Sequence, residues 1–76
     1  MDSASGSGTE QFVSLLLTHQ RQIRALVAVL VPNSADADDV LQDTAARMWR
    51  NFGKFRPGTD FVAWAAAFVR FSALNH

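Results

Sequence analysis

Along the chain, stretches in which apolar residues recur every three or four positions alternate with short breaks that end them. In the first stretch Phe12, Leu16, His19, Ile23, Leu26, Val27 and Leu30 share one helical face. Pro32 disfavours helical geometry at Val31, so this helix stops about there. Asn33 or Ser34 then caps a second helix, whose inner stripe is Ala37, Leu41, Ala45, Met48 and Phe52. Gly53 suits its termination, and Pro57-Gly58 marks a turn. Thr59 or Asp60 caps a third helix with the inner face Phe61, Ala65, Phe68 and Ser72, flanked by Trp64 and Phe71. Strand-type alternation and internal repeats are absent from the pattern. The prediction is an all-α fold, a compact three-helix bundle.

The ends read differently from the middle. Residues 1–8 are small and polar, a flexible N-terminal tail by composition, which leaves 9–76 as the helical domain. The first helix opens near Ser7 or Thr9, with Ser7 and Glu10 at capping-box spacing. The tail lacks the basic-then-apolar order of a signal peptide. The longest apolar run, 61–69, is too short to cross a bilayer. A soluble, cytoplasmic protein without a membrane partner is expected. The third helix is still apolar at Leu74, with neither a cap nor a closing basic turn, which predicts the front piece of a longer protein.

Composition narrows the chemistry. At 76 residues the chain is near the lower limit for an unaided core, and 49% hydrophobic content is enough to build one. The absence of cysteine excludes disulfides and thiolate metal sites. His19 and His76 are far apart, and no spacing resembles a metal site. Nor is there a Ser/His/Asp set, a glycine-rich phosphate loop or a convincing carboxylate pair. The reading is a non-enzyme with no cofactor, no metal and no small-molecule substrate.

A formal net charge of zero removes global steering towards nucleic acid, but the charge is segregated. Asp36, Asp38, Asp39 and Asp43 come without a base among them, and Arg47, Arg50, Lys54 and Arg56 follow without an acid. At about 100° per residue, Asp39, Gln42, Asp43, Ala46, Trp49 and Arg50 form one outer stripe of the second helix. Asp39 and Asp43 repel at i,i+4, which a basic partner would relieve, and a bordering tryptophan is a typical interface anchor. The same order of charges also does no more than complement the helix dipole. Lys54-Phe55-Arg56, then Phe61 and Trp64, interleave aromatics and cations as single-strand binders do; the same aromatics serve equally well as core. Val62, Ala66, Val69 and Ala73 give the third helix a second apolar side, for clasping by two neighbours or for an interface.

Taken in order, the chain places Phe12, His19 and Val31-Pro32 ahead of the run Asp36-Ala-Asp-Asp-Val-Leu-Gln-Asp43. Trp49-Arg50 and Phe52-Gly-Lys-Phe-Arg-Pro-Gly-Thr-Asp-Phe-Val-Ala-Trp64 follow. This series resembles region 2 of the extracytoplasmic-function (ECF) sigma factors, small bacterial members of the sigma-70 family. The resemblance implies that the second helix docks on the clamp helices of the RNA polymerase beta-prime subunit through Asp39, Gln42 and Asp43, with Arg47 and Trp49 alongside. It implies that the following loop and helix engage the non-template strand of the promoter −10 element and help open the duplex. Lys54, Phe55, Arg56, Thr59, Phe61, Trp64 and Arg70 would take that role. An anti-sigma factor is a further implied partner. The alternative is a self-associating helical interaction module without a nucleic-acid role.

The chain also departs from the family. The usual Tyr-Arg pair after the tryptophan is Ala66-Ala67, a common Asn beyond Arg70 is Phe71, and a frequent aromatic of the first helix is His19. These changes strip hydrogen-bonding groups from the helix expected to face DNA and leave the polymerase-facing residues intact.

Overall fold

The computed structural model describes the backbone of residues 3–76 and the side chains from residue 8 onwards. Three helices carry the fold: α1 (Ser3–Leu30), α2 (Ser34–Arg50) and α3 (Phe61–Leu74), with a short 3-10 turn at Phe52–Lys54. Among the described residues no strand is formed. The all-α reading holds.

Helix boundaries follow local chemistry. α1 ends at Leu30, two residues before Pro32, with Val31 N–H still donating to Val27 O at 2.8 Å. Asn33 caps α2, its Oδ1 accepting from Asp36 N–H at 3.0 Å. Asp60 does the same for α3, accepting from Ala63 N–H at 3.1 Å. α2 stops at Arg50 and not at Gly53, because the Asn51 amide donates to Arg47 O at 2.8 Å and satisfies a terminal carbonyl. Gly53 lies inside the 3-10 turn that follows. Asn75 supplies the cap expected to be missing from α3, its side chain donating to Phe71 O at 2.8 Å.

The front of α1 differs from expectation. The helix begins at Ser3, so the capping-box pair Ser7 and Glu10 lies within it and does not open it. Ser and Gly weaken a helix without blocking it and Ala favours one, whereas the Ser/Gly-rich composition alone read as tail. Met1 and Asp2, part of that expected tail, lie outside the described residues.

The core is Phe12, Ile23, Val27, Val40, Met48, Phe55, Phe61, Ala65 and Val69, with Thr44 and Ser72 buried beside it. Each large apolar side chain removed from water contributes about 1.5–3 kcal/mol. The buried ridge of α2 is Val40, Thr44 and Met48, which leaves Ala37, Leu41, Ala45 and Phe52 on its flank. On α3 Phe61, Ala65 and Ser72 are buried as expected, but Val69 is buried in place of Phe68, which is only half-buried. Leu30, expected inside, is 48% exposed. α3 packs against both α1 and α2, so its second apolar side is clasped: Val62, Ala66 and Ala73 are half-buried.

An aromatic cluster joins the three elements. Phe12 of α1 sits 5.3 Å from Trp49 and 5.1 Å from Phe52, ring centre to ring centre. Phe55 sits 5.4 Å from Phe61 and 5.1 Å from Trp64, and Trp64 is 4.8 Å from Phe68. Such pairs add about 0.5–1.5 kcal/mol each beyond area burial. The loop after α2 is therefore held down by its own ring.

Candidate polymerase and nucleic-acid interfaces

The stripe expected to dock a partner splits in two. Asp39 and Gln42 are exposed on the outer side of α2. Gln42 also forms the wall of a groove of about 210 Å3 against α1, whose floor is Leu16, Leu17, Leu41 and Ala45. Its polar lining is the amides of Gln20 and Gln42 and the guanidinium of Arg24, and an apolar floor beside such groups is the composition of a protein-binding surface.

Asp43 and Arg47 lie instead on the flank facing α3. Arg47 Nε donates to Asp43 Oδ2 at 2.7 Å, and the guanidinium covers the Phe71 ring at 4.6 Å from its centroid. The Asp43 carboxyl is held below its ordinary range, first by this bond and next by the Ser72 hydroxyl that faces it. Ser72 Oγ is buried without a partner at full hydrogen-bond geometry, so its link to Asp43 is the weaker of the two. Trp49 is 47% exposed, its ring packed near Phe12 at 5.3 Å and Phe52 at 6.4 Å between centroids. It is a shoulder residue, both support and surface.

The residues expected to face DNA also divide. Lys54, Arg56, Thr59 and Arg70 are exposed, and Thr59 Oγ1 donates to Arg56 O at 2.7 Å, which stiffens the turn. Gly58, at φ +88°, makes that turn possible. Phe55 and Phe61 are only 8% and 2% exposed, so both rings are core and neither offers a face to a base in this conformation. Interleaving with cations left both readings open, because a ring's sequence neighbours do not fix which way it points. Trp64 is half-buried, packed against Phe52, Phe55, Phe61 and Phe68.

His19 is not buried. It is half-exposed, its Nδ1 pairing with Gln22 Oε1 at 3.1 Å and its ring 5.6 Å from Phe61. Asp36, Asp39 and His76 come together at the end of the bundle, with His76 Nε2 at 3.3 Å from Asp36 Oδ1. All three are exposed, and such a cluster is an ordinary surface feature.

Residues 15–76 match Sigma-70 region 2. The chain belongs to that family. It is 32% identical over 79 residues to RNA polymerase sigma factor CarQ of Myxococcus xanthus, a similarity covering 100% of this chain and 45% of that protein. The chain thus spans about half the length of the curated relative it matches. No solved structure matches at a significant level. No helix among the described residues is long and apolar enough to cross a membrane.

Proposed function

We propose that this chain is the core-binding and −10-engaging part of an ECF-type sigma factor. It acts without catalysis of its own, in the bacterial cytoplasm. Asp39 and Gln42, with the exposed side of Trp49, dock on the clamp helices of the beta-prime subunit. The observation that supports this reading is the outward exposure of Asp39 and Gln42, the latter lining an apolar groove, in a chain of this family. Asp43 and Arg47 hold α2 against α3 and contribute to docking from the edge.

The DNA-engaging surface is Lys54, Arg56 and Thr59 on the loop and Arg70 on α3, with the half-buried Trp64 beside them. Phe55 and Phe61 support that surface from beneath. Near-neutral total charge fits this division of labour, because polymerase supplies most of the affinity and the chain supplies selectivity. α3 packs against both neighbours and half-buries Val62, Ala66 and Ala73, which leaves less apolar face for self-association than its sequence offers.

The test is co-purification with core RNA polymerase. Asp39→Arg and Gln42→Ala are expected to weaken retention while leaving the helical circular dichroism unchanged. Undiminished retention of Asp39→Arg would refute the assignment of α2.

A further inference from the structure

Between Gly53 and Asp60 the chain has one buried side chain, Phe55, and every other residue of that stretch is exposed. The backbone bonds within it are local. Lys54 N–H donates to Asn51 O at 2.9 Å, Phe55 N–H to Phe52 O at 3.0 Å and Thr59 N–H to Arg56 O at 3.2 Å. Seating of the Phe55 ring therefore decides how this loop sits on the bundle. Phe55 has extended backbone, φ −74° and ψ 134°, in which neighbouring side chains point to opposite sides. With its ring turned inward, Lys54 and Arg56 are turned out.

Three rings seat Phe55. Two belong to α3, Phe61 at 5.4 Å and Trp64 at 5.1 Å. The third is Phe52, nearly parallel to it at 12°, with centroids 5.8 Å apart. Phe52 also stacks on Trp49, at 24° and 6.4 Å. Among the described residues it is the one ring within stacking range of both Trp49 and Phe55. Trp49, Phe52 and Phe55 thus form a row that starts on the exposed shoulder of α2 and ends under the loop. Phe52 is half-buried and opens the 3-10 turn, whose hydrogen-bond geometry is looser than that of an α-helix. Whatever immobilises Trp49 takes freedom from Phe52, and Phe52 takes it from the ring that holds the loop. The other route from Trp49 to Phe55 runs through Phe12 and Phe61. Those rings are 6% and 2% exposed and have little freedom left to lose.

We propose that Phe52 is the positioning residue of the loop: a partner seated on Trp49 tightens residues 52–60 through the Phe52 ring and fixes the arrangement of Lys54, Arg56 and Thr59. The inference rests on the reading that Trp49 belongs to the polymerase-docking face and the loop to the DNA-engaging one. Phe52 itself touches neither partner and acts through its two stacked neighbours. A loop ordered before a strand arrives loses less freedom on binding it.

The experiment measures amide hydrogen exchange of the 76-residue chain, free and with saturating core RNA polymerase, in the absence of DNA. In wild type, polymerase is expected to slow exchange along α2 and also, by about fivefold, at the loop amides of Lys54, Phe55 and Thr59. Phe52→Leu keeps an apolar side chain without the ring. It should retain polymerase and the slowing along α2 while losing the slowing in the loop. Phe52→Tyr restores a ring and should restore the loop response. A residue that merely supports the fold would instead raise exchange in the free and bound chain alike. If Phe52→Leu loses its helical circular dichroism, Trp49→Leu gives the same reading from the exposed end of the row: α2 slowed in the bound variant, the loop not. A loop response that survives Phe52→Leu, or Trp49→Leu, would mean direct cover by polymerase or the route through Phe12, and overturns the proposal. Wild type slowed along α2 alone would also overturn it and leave the docking assignment standing. If polymerase slows neither region, both fail.

Discussion

The guanidinium of Arg47 lies over the ring of Phe71, 4.6 Å from its centroid. Since Arg47 belongs to α2 and Phe71 to α3, this contact ties the helix proposed to bind polymerase to the helix proposed to meet DNA. A cation over an exposed ring is worth about 0.5–1 kcal/mol. A double-mutant cycle of Arg47→Ala and Phe71→Ala in urea is expected to return a coupling of about that size. Additive single effects would mean that the contact adds nothing to stability.

Asp43 makes a pH-dependent contribution through the same assembly. Arg47, then Ser72, lowers its carboxyl pKa in the folded chain. A depressed folded pKa gives stability that is fully present above the unfolded carboxyl's pKa and is lost as pH falls through the folded value. Asp43→Asn is therefore expected to be less stable than wild type near neutrality, with the gap closing in acid below the ordinary carboxylate range. Urea midpoints across that range measure it, and a gap of constant size would contradict the linkage.

The turn between the 3-10 segment and α3 depends on one glycine. Gly58 has φ +88°, and a β-carbon built there meets nothing within 4 Å. The penalty of Gly58→Ala is thus backbone strain alone, about 1 kcal/mol. Thermal unfolding should show the loss. A variant as stable as wild type would mean that the loop relaxes to negative φ.

Much of this architecture was legible because caps and breakers act locally. Asn33, Asp60 and Pro32 bound helices where their chemistry predicts. What the pattern hid was rotation. α2 offers apolar residues on both sides of its buried line, and the true centre includes Thr44, whose polarity argued against it. α3 is apolar around so much of its girth that periodicity could not choose between Phe68 and Val69. The exposed ridge of Asp39 and Gln42 was readable from helical spacing. The inward turn of Phe55 and Phe61, and the commitment of Asp43 to Arg47, depend on tertiary contacts that no local rule encodes.

Thr44 shows how the buried ridge of α2 accepts a polar residue, and it gives a sharp contrast with its neighbour Met48. Thr44 is 0% exposed, and its Oγ1 donates to Val40 O at 2.7 Å, so the hydroxyl is satisfied inside the helix. Helical carbonyls also accept from the backbone four residues on. Thr44→Val removes the hydroxyl, retains the branched shape and leaves no orphaned acceptor, so its effect should stay within about 1 kcal/mol of wild type. Met48, also 0% exposed, fills space among packed side chains. Met48→Ala should cost about 2–5 kcal/mol, a large share of what a domain this small possesses. Chemical denaturation of both variants checks the pair. Equal destabilisation would mean that the Thr44 hydroxyl contributes far more than an internal helix bond, and that α2 is seated by polar contact as much as by packing.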